Sequence, residues 1–131
     1  MKTRLLCALC ALFPLSLLAA KVHKITPVTT DKDIRIEVML SAEANESLSL
    51  DAVITHARSK AILCSHSGEF YFKNKVDTTV VWKIDQLTPE LWSPVNPALY
   101  DLEVKAGTET FHKRIGFRKF EMRDGVFYLN D

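Results

Sequence analysis

Polar and apolar residues alternate along most of the chain that follows Lys21. Apolar side chains occupy every second position in four segments, which are residues 34–40, 48–54, 76–84 and 100–104, with Thr78 as the one exception. A period of two places one face of a β-strand in a core and the other in water, whereas an amphipathic helix needs a period near 3.6. No segment keeps the helical period for long. The pattern therefore predicts strands and no long helix.

Shorter signals complete the set of strands. Residues 61–64 are apolar, Gly68 is assigned to a turn before residues 70–72, and residues 110–117 return the chain after a turn at Gly107. About seven short strands, spaced near ten residues apart, are typical of an all-β fold in which two antiparallel sheets pack face to face. The sequence therefore predicts an antiparallel β-sandwich.

Two tryptophans are expected at the centre of the sandwich core. Trp82 lies in the most regular alternating segment. Trp92 belongs to residues 91–100, Leu-Trp-Ser-Pro-Val-Asn-Pro-Ala-Leu-Tyr, whose two prolines exclude a helix. Because Trp, Leu and Tyr favour burial, we expect residues 91–100 to form a stiff corner fixed to the core, with a strand following over residues 99–105.

An ordered set of motifs in the second half of the chain resembles one enzyme family. The corner at residues 91–100 is followed by Arg-x-Gly-Phe-Arg-Lys at 114–119 and by Asp-Gly-x-Phe-x-Leu-Asn at 124–130. Together they look like glycoside hydrolase family 2, which contains β-galactosidases, β-glucuronidases and β-mannosidases. The resemblance implies an immunoglobulin-like β-sandwich domain at residues 21–122, with residues 123–131 beginning the connection to a further domain.

The resemblance also implies where the chemistry of such an enzyme lies. In that family both catalytic glutamates belong to a barrel domain C-terminal to the sandwich, and a sugar-binding jelly-roll domain precedes it. The motifs of this chain match neither of these domains. No catalytic, cofactor-binding or metal-ligating residue is therefore assigned, and no cofactor is expected. The expected partners are the missing barrel and jelly-roll.

Two functions are compatible with this resemblance. The first is that of a non-catalytic domain, present as a fragment, of an enzyme that hydrolyses O-glycosyl bonds of β-linked sugars. The alternative is a free-standing exported sandwich that binds carbohydrate or protein. Exposed aromatic side chains would form such a binding site, and Tyr71 and Tyr128 are the candidates.

The first twenty residues have the composition of an export signal. Lys2 and Arg4 precede an apolar run at residues 5–18, and two alanines end at Ala20. A basic start, an apolar stretch that is short for a membrane span, and small residues are typical of a secretory signal peptide. We therefore expect cleavage after Ala20, export to the periplasm or the exterior, and no membrane attachment afterwards.

Charge and cysteine content limit the partners of the mature chain. Without Lys2 and Arg4 it carries 15 basic and 16 acidic residues, a net charge of −1. Such a balance gives no general attraction to nucleic acid or acidic lipid, although basic residues alternate with phenylalanines over residues 111–123. Cys64 is the one cysteine left, so an internal disulfide is excluded and a small buried hydrophobic side chain is expected.

Candidate catalytic and metal-binding residues are few. Asp101 and Glu103 share one face of a strand, but glycoside hydrolysis needs two carboxylates facing each other across a sugar, about 5–10 Å apart. Cys64 and His66 are the nearest approach to a pair of metal ligands, and no second pair accompanies them. The arginines at 114 and 118 are expected to pair with acidic groups at the junction with the barrel.

The C-terminal residues have the pattern of a hairpin. Asp124-Gly125 is a strong signal for a two-residue turn between apolar stretches. We expect residues 126–129 to fold back on the preceding strand or to extend toward a neighbouring domain. Phe127 and Leu129 would then be exposed or would need a partner.

Overall fold

The computed structural model describes residues 20–130, in which every regular element is a β-strand. The strands in chain order are β1 (Lys21–Thr29), β2 (Ile34–Ala42), β3 (Glu46–His56), β4 (Ile62–Phe72), β5 (Val76–Ile84), β6 (Tyr100–Ala106), β7 (Glu109–Ile115), β8 (Phe120–Arg123) and β9 (Val126–Leu129). Within the described residues no helix is long and apolar enough to cross a membrane. The predicted signal peptide lies outside them apart from Ala20, which is buried.

Seven of the strands form two antiparallel sheets. One sheet has the order β1-β2-β5 and the other the order β4-β3-β6-β7. β4 thus pairs with β3 in the four-stranded sheet, whereas β5 pairs with β2 in the three-stranded sheet. The remaining strands, β8 and β9, form a separate hairpin that follows the sandwich. The predicted all-β, antiparallel fold is confirmed.

The alternating segments bury one face each, as their period requires. Along β2 and β3 every second side chain is fully or almost fully buried, and the side chains between them are more exposed. The same holds for β6. The largest fully buried side chains come mainly from these strands, and they are Phe117, Ile25, Ile34, Ile36, Leu40, Leu48, Leu50, Ile54, Leu102, Val38 and Val104.

The two tryptophans do not share the centre of this core. Trp82 is 7% exposed and belongs to it, but Trp92 is half-buried and lies outside the core cluster. The fully buried aromatic side chain is Phe117, which meets the ring of Tyr100 edge-on at 5.4 Å. The prediction for Trp92 is wrong because the proline corner places it beside the backbone of Gly116 at the end of the sandwich, where its side chain is only half-buried.

The turn expected at Gly68 is absent. Residues Ile62–Phe72 form one continuous strand that pairs with β3 along its length. A Cβ atom built on Gly68 would lie 2.8 Å from Nε1 of Trp82. Glycine in a strand interior often marks a close approach of another group to the backbone, and here that group is the indole. Gly68 therefore makes room for Trp82 and does not turn the chain.

The chain leaves the sandwich at the end where β3 and β7 finish, here called the exit end. The loop at residues 57–61 and the corner at 91–99 lie there, since the N–H of Ala57 donates to the carbonyl of Leu99 at 2.9 Å. The hydroxyl of Thr29 donates to the carbonyl of Gly116 at 2.7 Å and ties β1 to the departing chain. The hairpin β8–β9 begins four residues later.

Candidate docking site at the exit end

The hairpin β8–β9 turns at Asp124-Gly125, as the sequence predicted. Both residues have positive φ, 52° at Asp124 and 76° at Gly125. Two-residue hairpin turns with positive φ at both positions match the twist of the strands, and Asp-Gly is one of their preferred sequences. The turn therefore folds residues 126–129 back on β8.

One face of the hairpin is entirely apolar. Phe120 lies opposite Leu129, and Met122 lies opposite Phe127, so these four side chains share a face. The rings of Phe120 and Phe127 stack with their centroids 5.2 Å apart. Phe120 and Phe127 are each 62% exposed and Met122 is 60% exposed. We call this surface, formed by Phe120, Met122, Phe127 and Leu129, the apolar hairpin face.

The opposite face of the hairpin is charged. Nε of Arg123 lies 2.9 Å from a carboxylate oxygen of Glu121, and Nζ of Lys119 lies 3.8 Å from the other. The guanidinium of Arg123 also covers the ring of Tyr128 at 3.9 Å from its centroid. The hairpin therefore has one face suited to water and one suited to a partner.

The proline corner packs beside the departing chain. The N–H of Trp92 donates to the carbonyl of Phe117 at 2.7 Å, and Leu91 forms a parallel bridge with the same residue. The guanidinium of Arg118 lies 5.5 Å from the centroid of the Trp92 ring, within the range of a cation–π contact. Of the two arginines expected at a domain junction, Arg118 therefore contacts an aromatic ring within this chain.

A polar cavity of about 350 Å³ lies at the same end, between the corner and the β3–β4 loop. Its wall includes His56, whose Nδ1 accepts from the N–H groups of Arg58 and Ser59 at 3.1 and 3.2 Å. Because Nδ1 is an acceptor, the ring proton sits on Nε2, which lies 3.3 Å from Oε1 of Glu90. The N–H of Glu90 donates to the hydroxyl of Tyr100 at 2.8 Å. The His56–Glu90 contact, which the sequence did not indicate, joins the end of β3 to the residue that precedes the corner.

The candidate carboxylates lie on the exterior of the four-stranded sheet. Oδ1 of Asp101 accepts from Nε of Arg114 at 3.0 Å, and Glu103 lies 3.9 Å from Nδ1 of His112. Both carboxylates thus have a basic neighbour on the adjacent strand, β7. The family resemblance predicts that Arg114 pairs with an acidic group at a domain junction. In the structure Arg114 pairs with Asp101, on the neighbouring strand of the same sandwich.

Cys64 packs against the edge of the core and is half-buried. Burial raises the pKa of the Cys64 thiol above its usual range, which disfavours the thiolate. His66 lies beside Trp82, with ring centroids 5.7 Å apart. Among residues 20–130 no group of three histidine, cysteine, aspartate or glutamate side chains is arranged to hold a metal ion.

The two tyrosines considered for sugar binding are not brought together. Tyr71 is 63% exposed and pairs in register with Ser47, at the opposite end of the four-stranded sheet from the hairpin. Its hydroxyl donates to Oδ1 of Asn45 at 2.7 Å. Tyr128 lies in the hairpin beneath Arg123. They cannot form one aromatic platform.

Comparison with known proteins identifies the family. A family model described as Glycosyl hydrolases family 2 matches residues 20–118, which include the whole sandwich. The chain belongs to this family. A curated relative, the β-galactosidase of Actinobacillus pleuropneumoniae, is 33% identical over 57 residues, which are 44% of this chain and 6% of that enzyme. The predicted resemblance to the immunoglobulin-like domain of glycoside hydrolase family 2 is confirmed.

Solved structures share the fold at low sequence identity. A family 2 member from Bacteroides cellulosilyticus superposes with a TM-score of 0.67 at 20% identity, over 85% of this chain and 16% of that protein. A protein described as a putative β-galactosidase of Bacteroides fragilis gives a TM-score of 0.60 at 21% identity, over 86% of this chain and 18% of that protein. The β-glucuronidase of Parabacteroides merdae superposes with a TM-score of 0.59 at 22% identity, over 85% of this chain and 15% of that protein. The chain therefore spans less than one fifth of each of these proteins.

Proposed function

We propose that this chain is a non-catalytic immunoglobulin-like domain of a family 2 glycoside hydrolase, and that its hairpin holds the catalytic barrel against the sandwich. Hydrolysis of a β-linked sugar then takes place in the barrel. The observation that carries the proposal is the apolar hairpin face, which follows directly after the family match at residue 118. Within the described residues Phe120, Met122 and Phe127 of this face are mostly exposed, and Leu129 is half-buried. The composition of residues 1–20 supports export of the protein that contains this domain.

The arrangement of acidic groups supports a non-catalytic role. Asp101 and Glu103 lie on the same side of β6 and have basic neighbours on β7. A glycosidase needs one carboxyl group to donate a proton and another to attack or to activate water, on opposite sides of the bond that breaks. Two carboxylates on the same side of one strand cannot enclose a sugar in this way.

The chemistry of the apolar hairpin face favours a large and permanent partner. Full burial of a Phe or Met side chain contributes about 1.5–3 kcal/mol, so covering three of them would yield a substantial interface free energy. The structural relatives are several times longer than this chain, which covers 16% of the Bacteroides cellulosilyticus protein. The barrel that the family resemblance implies is therefore a suitable occupant of this face.

The exposed face is tested first in the chain itself. Phe120→Ser with Phe127→Ser should reduce the fluorescence of the apolar dye ANS several-fold and leave the thermal transition of the sandwich unchanged, because neither ring belongs to the core cluster. Val95→Ser is the matched control, since Val95 is 95% exposed in the corner and is not part of the apolar hairpin face. Equal dye binding by the double variant and the control would contradict the proposed docking face.

The role of this face is tested in a complete enzyme. Residues 20–130 replace the corresponding domain of the Actinobacillus pleuropneumoniae β-galactosidase, and the same serine variants are introduced into the chimera. We expect the chimera with Val95→Ser to hydrolyse an aryl β-galactoside and the Phe120→Ser, Phe127→Ser chimera to lose activity or thermal stability. The proposal fails if both chimeras are equally active and equally stable.

The isolated chain provides the complementary test. It should release no nitrophenol from p-nitrophenyl β-galactoside, β-glucuronide or β-mannoside. Saturable release that persists through purification and disappears on unfolding would show that the chain is itself an enzyme.

A further inference from the structure

The hairpin β8–β9 takes no part in the packed core of the sandwich. Within residues 20–130 the core cluster and the side chains packed against it include no residue of β8 or β9. The hairpin is joined to the sandwich through the short segment 116–119. A two-stranded hairpin without a packed face is only marginally stable by itself. Some other contact must therefore hold its direction.

Asn130 supplies such a contact at the last described position. Its backbone N–H donates to the carbonyl of Lys119 at 2.7 Å, and its side-chain Oδ1 accepts from the N–H of Lys119 at 2.9 Å. Its Nδ2 donates to the carbonyl of Trp92 at 3.0 Å. Trp92 is in turn bound to Phe117 through its own N–H. Asn130 thereby joins the end of the hairpin, its beginning and the proline corner.

The side chain of asparagine is suited to all three demands of this position. The N–H of Lys119 needs an acceptor and the carbonyl of Trp92 needs a donor, and one carboxamide offers both. An aspartate would place a carboxylate oxygen against the carbonyl of Trp92. The φ angle of 66° at Asn130 is in the left-handed region, which asparagine enters more readily than most residues.

We infer that Asn130 is a positioning residue that fixes the angle at which the hairpin leaves the sandwich. It does so by clamping the hairpin to the carbonyl of Trp92 in the proline corner. If the apolar hairpin face docks on a barrel, as proposed above, the clamp also determines where the barrel sits relative to the sandwich. The partner then binds a hairpin that is already oriented, which lowers the entropic cost of docking.

The test measures the orientation of the hairpin in the chain alone. Residual dipolar couplings of the backbone amides in the sandwich and in the hairpin should fit a single alignment tensor in the unaltered protein. In Asn130→Gly, which tolerates the positive φ but removes both side-chain bonds, the hairpin couplings should shrink and no longer fit that tensor. The amide of Lys119 should also exchange with solvent about fivefold faster, as expected for the loss of one hydrogen bond.

Two further variants separate the clamp from general loss of structure. Asn130→Asp keeps the acceptor for Lys119 but removes the donor to Trp92, so the Lys119 amide should stay protected while the hairpin couplings change. Asn96→Ala is the control, because Asn96 holds the corner through its backbone, at 3.0 and 3.1 Å from Ser93. It should leave both measurements unchanged.

One result overturns the inference. If the couplings of Asn130→Gly still fit a single tensor with undiminished magnitude, Asn130 does not orient the hairpin. The couplings are measured without a barrel, so they succeed or fail independently of whether a barrel docks on the hairpin.

Discussion

Replacing Gly68 with alanine tests how tightly the two sheets close at one edge of the sandwich. Gly68 lies on β4 and Trp82 on β5, the strands that end their respective sheets. The added methyl carbon would stand 2.8 Å from Nε1 of the indole and 3.0 Å from Cε2. Carbon atoms in contact normally lie about 3.5–4.0 Å apart, so either the indole or the strand must move.

The magnitude follows from two opposing effects. Forcing an extra carbon into a packed interior costs about 1–3 kcal/mol. Replacing glycine by alanine at a compatible position stabilises a protein by about 0.4–1 kcal/mol, because the unfolded chain then has less conformational entropy to lose. Gly68 does not have a positive φ, so its backbone is compatible with alanine. We therefore expect Gly68→Ala to lower the free energy of unfolding by about 1–2 kcal/mol.

A double-mutant cycle with Trp82→Leu identifies the cause. The smaller leucine leaves space for the methyl group, so in that background Gly68→Ala should be neutral or slightly stabilising. The coupling between the two positions should then be about 2 kcal/mol. Urea denaturation followed by far-UV circular dichroism measures each free energy, with an unchanged dependence on urea showing that the same surface unfolds.

Gly107→Ala is the matched control for this cycle. Gly107 has a φ of 63° and no heavy atom near its added Cβ, so its substitution is costly through the backbone alone. Its cost should be the same with Trp or Leu at position 82. The packing argument is refuted if Gly68→Ala also costs the same amount in both backgrounds.

Three further substitutions test other parts of the structure. Trp82→Ala should abolish cooperative thermal unfolding, because losing a buried tryptophan costs about 3–5 kcal/mol; a normal transition would contradict its place in the core. Since burial raises the pKa of Cys64, the folded state holds the thiol proton more tightly than the unfolded state, and stability should fall as the pH rises through the alkaline range above the usual thiol pKa. Cys64→Ala should reduce this loss of stability at alkaline pH. An identical decline in the unaltered protein and the variant would contradict the contribution of Cys64. Arg114→Ala breaks an exposed ion pair with Asp101 and should cost no more than about 1 kcal/mol in urea denaturation, a larger loss implying a role beyond that pair.

The strands with regular alternation were predictable because the period of two is a local property of the sequence. Residues 34–40, 48–54, 76–84 and 100–104 all lie in strands whose alternate side chains are buried or, in the first part of β5, half-buried. The Asp-Gly turn was predictable for the same reason, since its two residues alone favour positive φ. Local chemistry therefore accounts for β2, β3, β5, β6, β7 and the hairpin, whereas β1 was not predicted and β4 was predicted as two pieces.

The errors and omissions involve contacts between residues far apart in the chain. Gly68 resembles a turn residue until Trp82 is seen to occupy the space beside it. The His56–Glu90 contact joins residues separated by 34 positions, and the Asn130–Trp92 contact spans 38. Asn130 was part of the family motif, but its function depends on a backbone carbonyl, which any residue at position 92 would supply. No local pattern can report such a partner.

The most direct test of the proposed function is the DNA sequence on both sides of the gene in its source. We expect sequence encoding a barrel with two catalytic glutamates to follow residue 131, in the same frame, after a single frameshift, or as an adjacent gene. That result would support the proposal that this chain is the non-catalytic domain that holds the barrel of a family 2 glycosidase. A stop codon after residue 131, with unrelated genes on both sides, would contradict the proposal and favour a free-standing binding module.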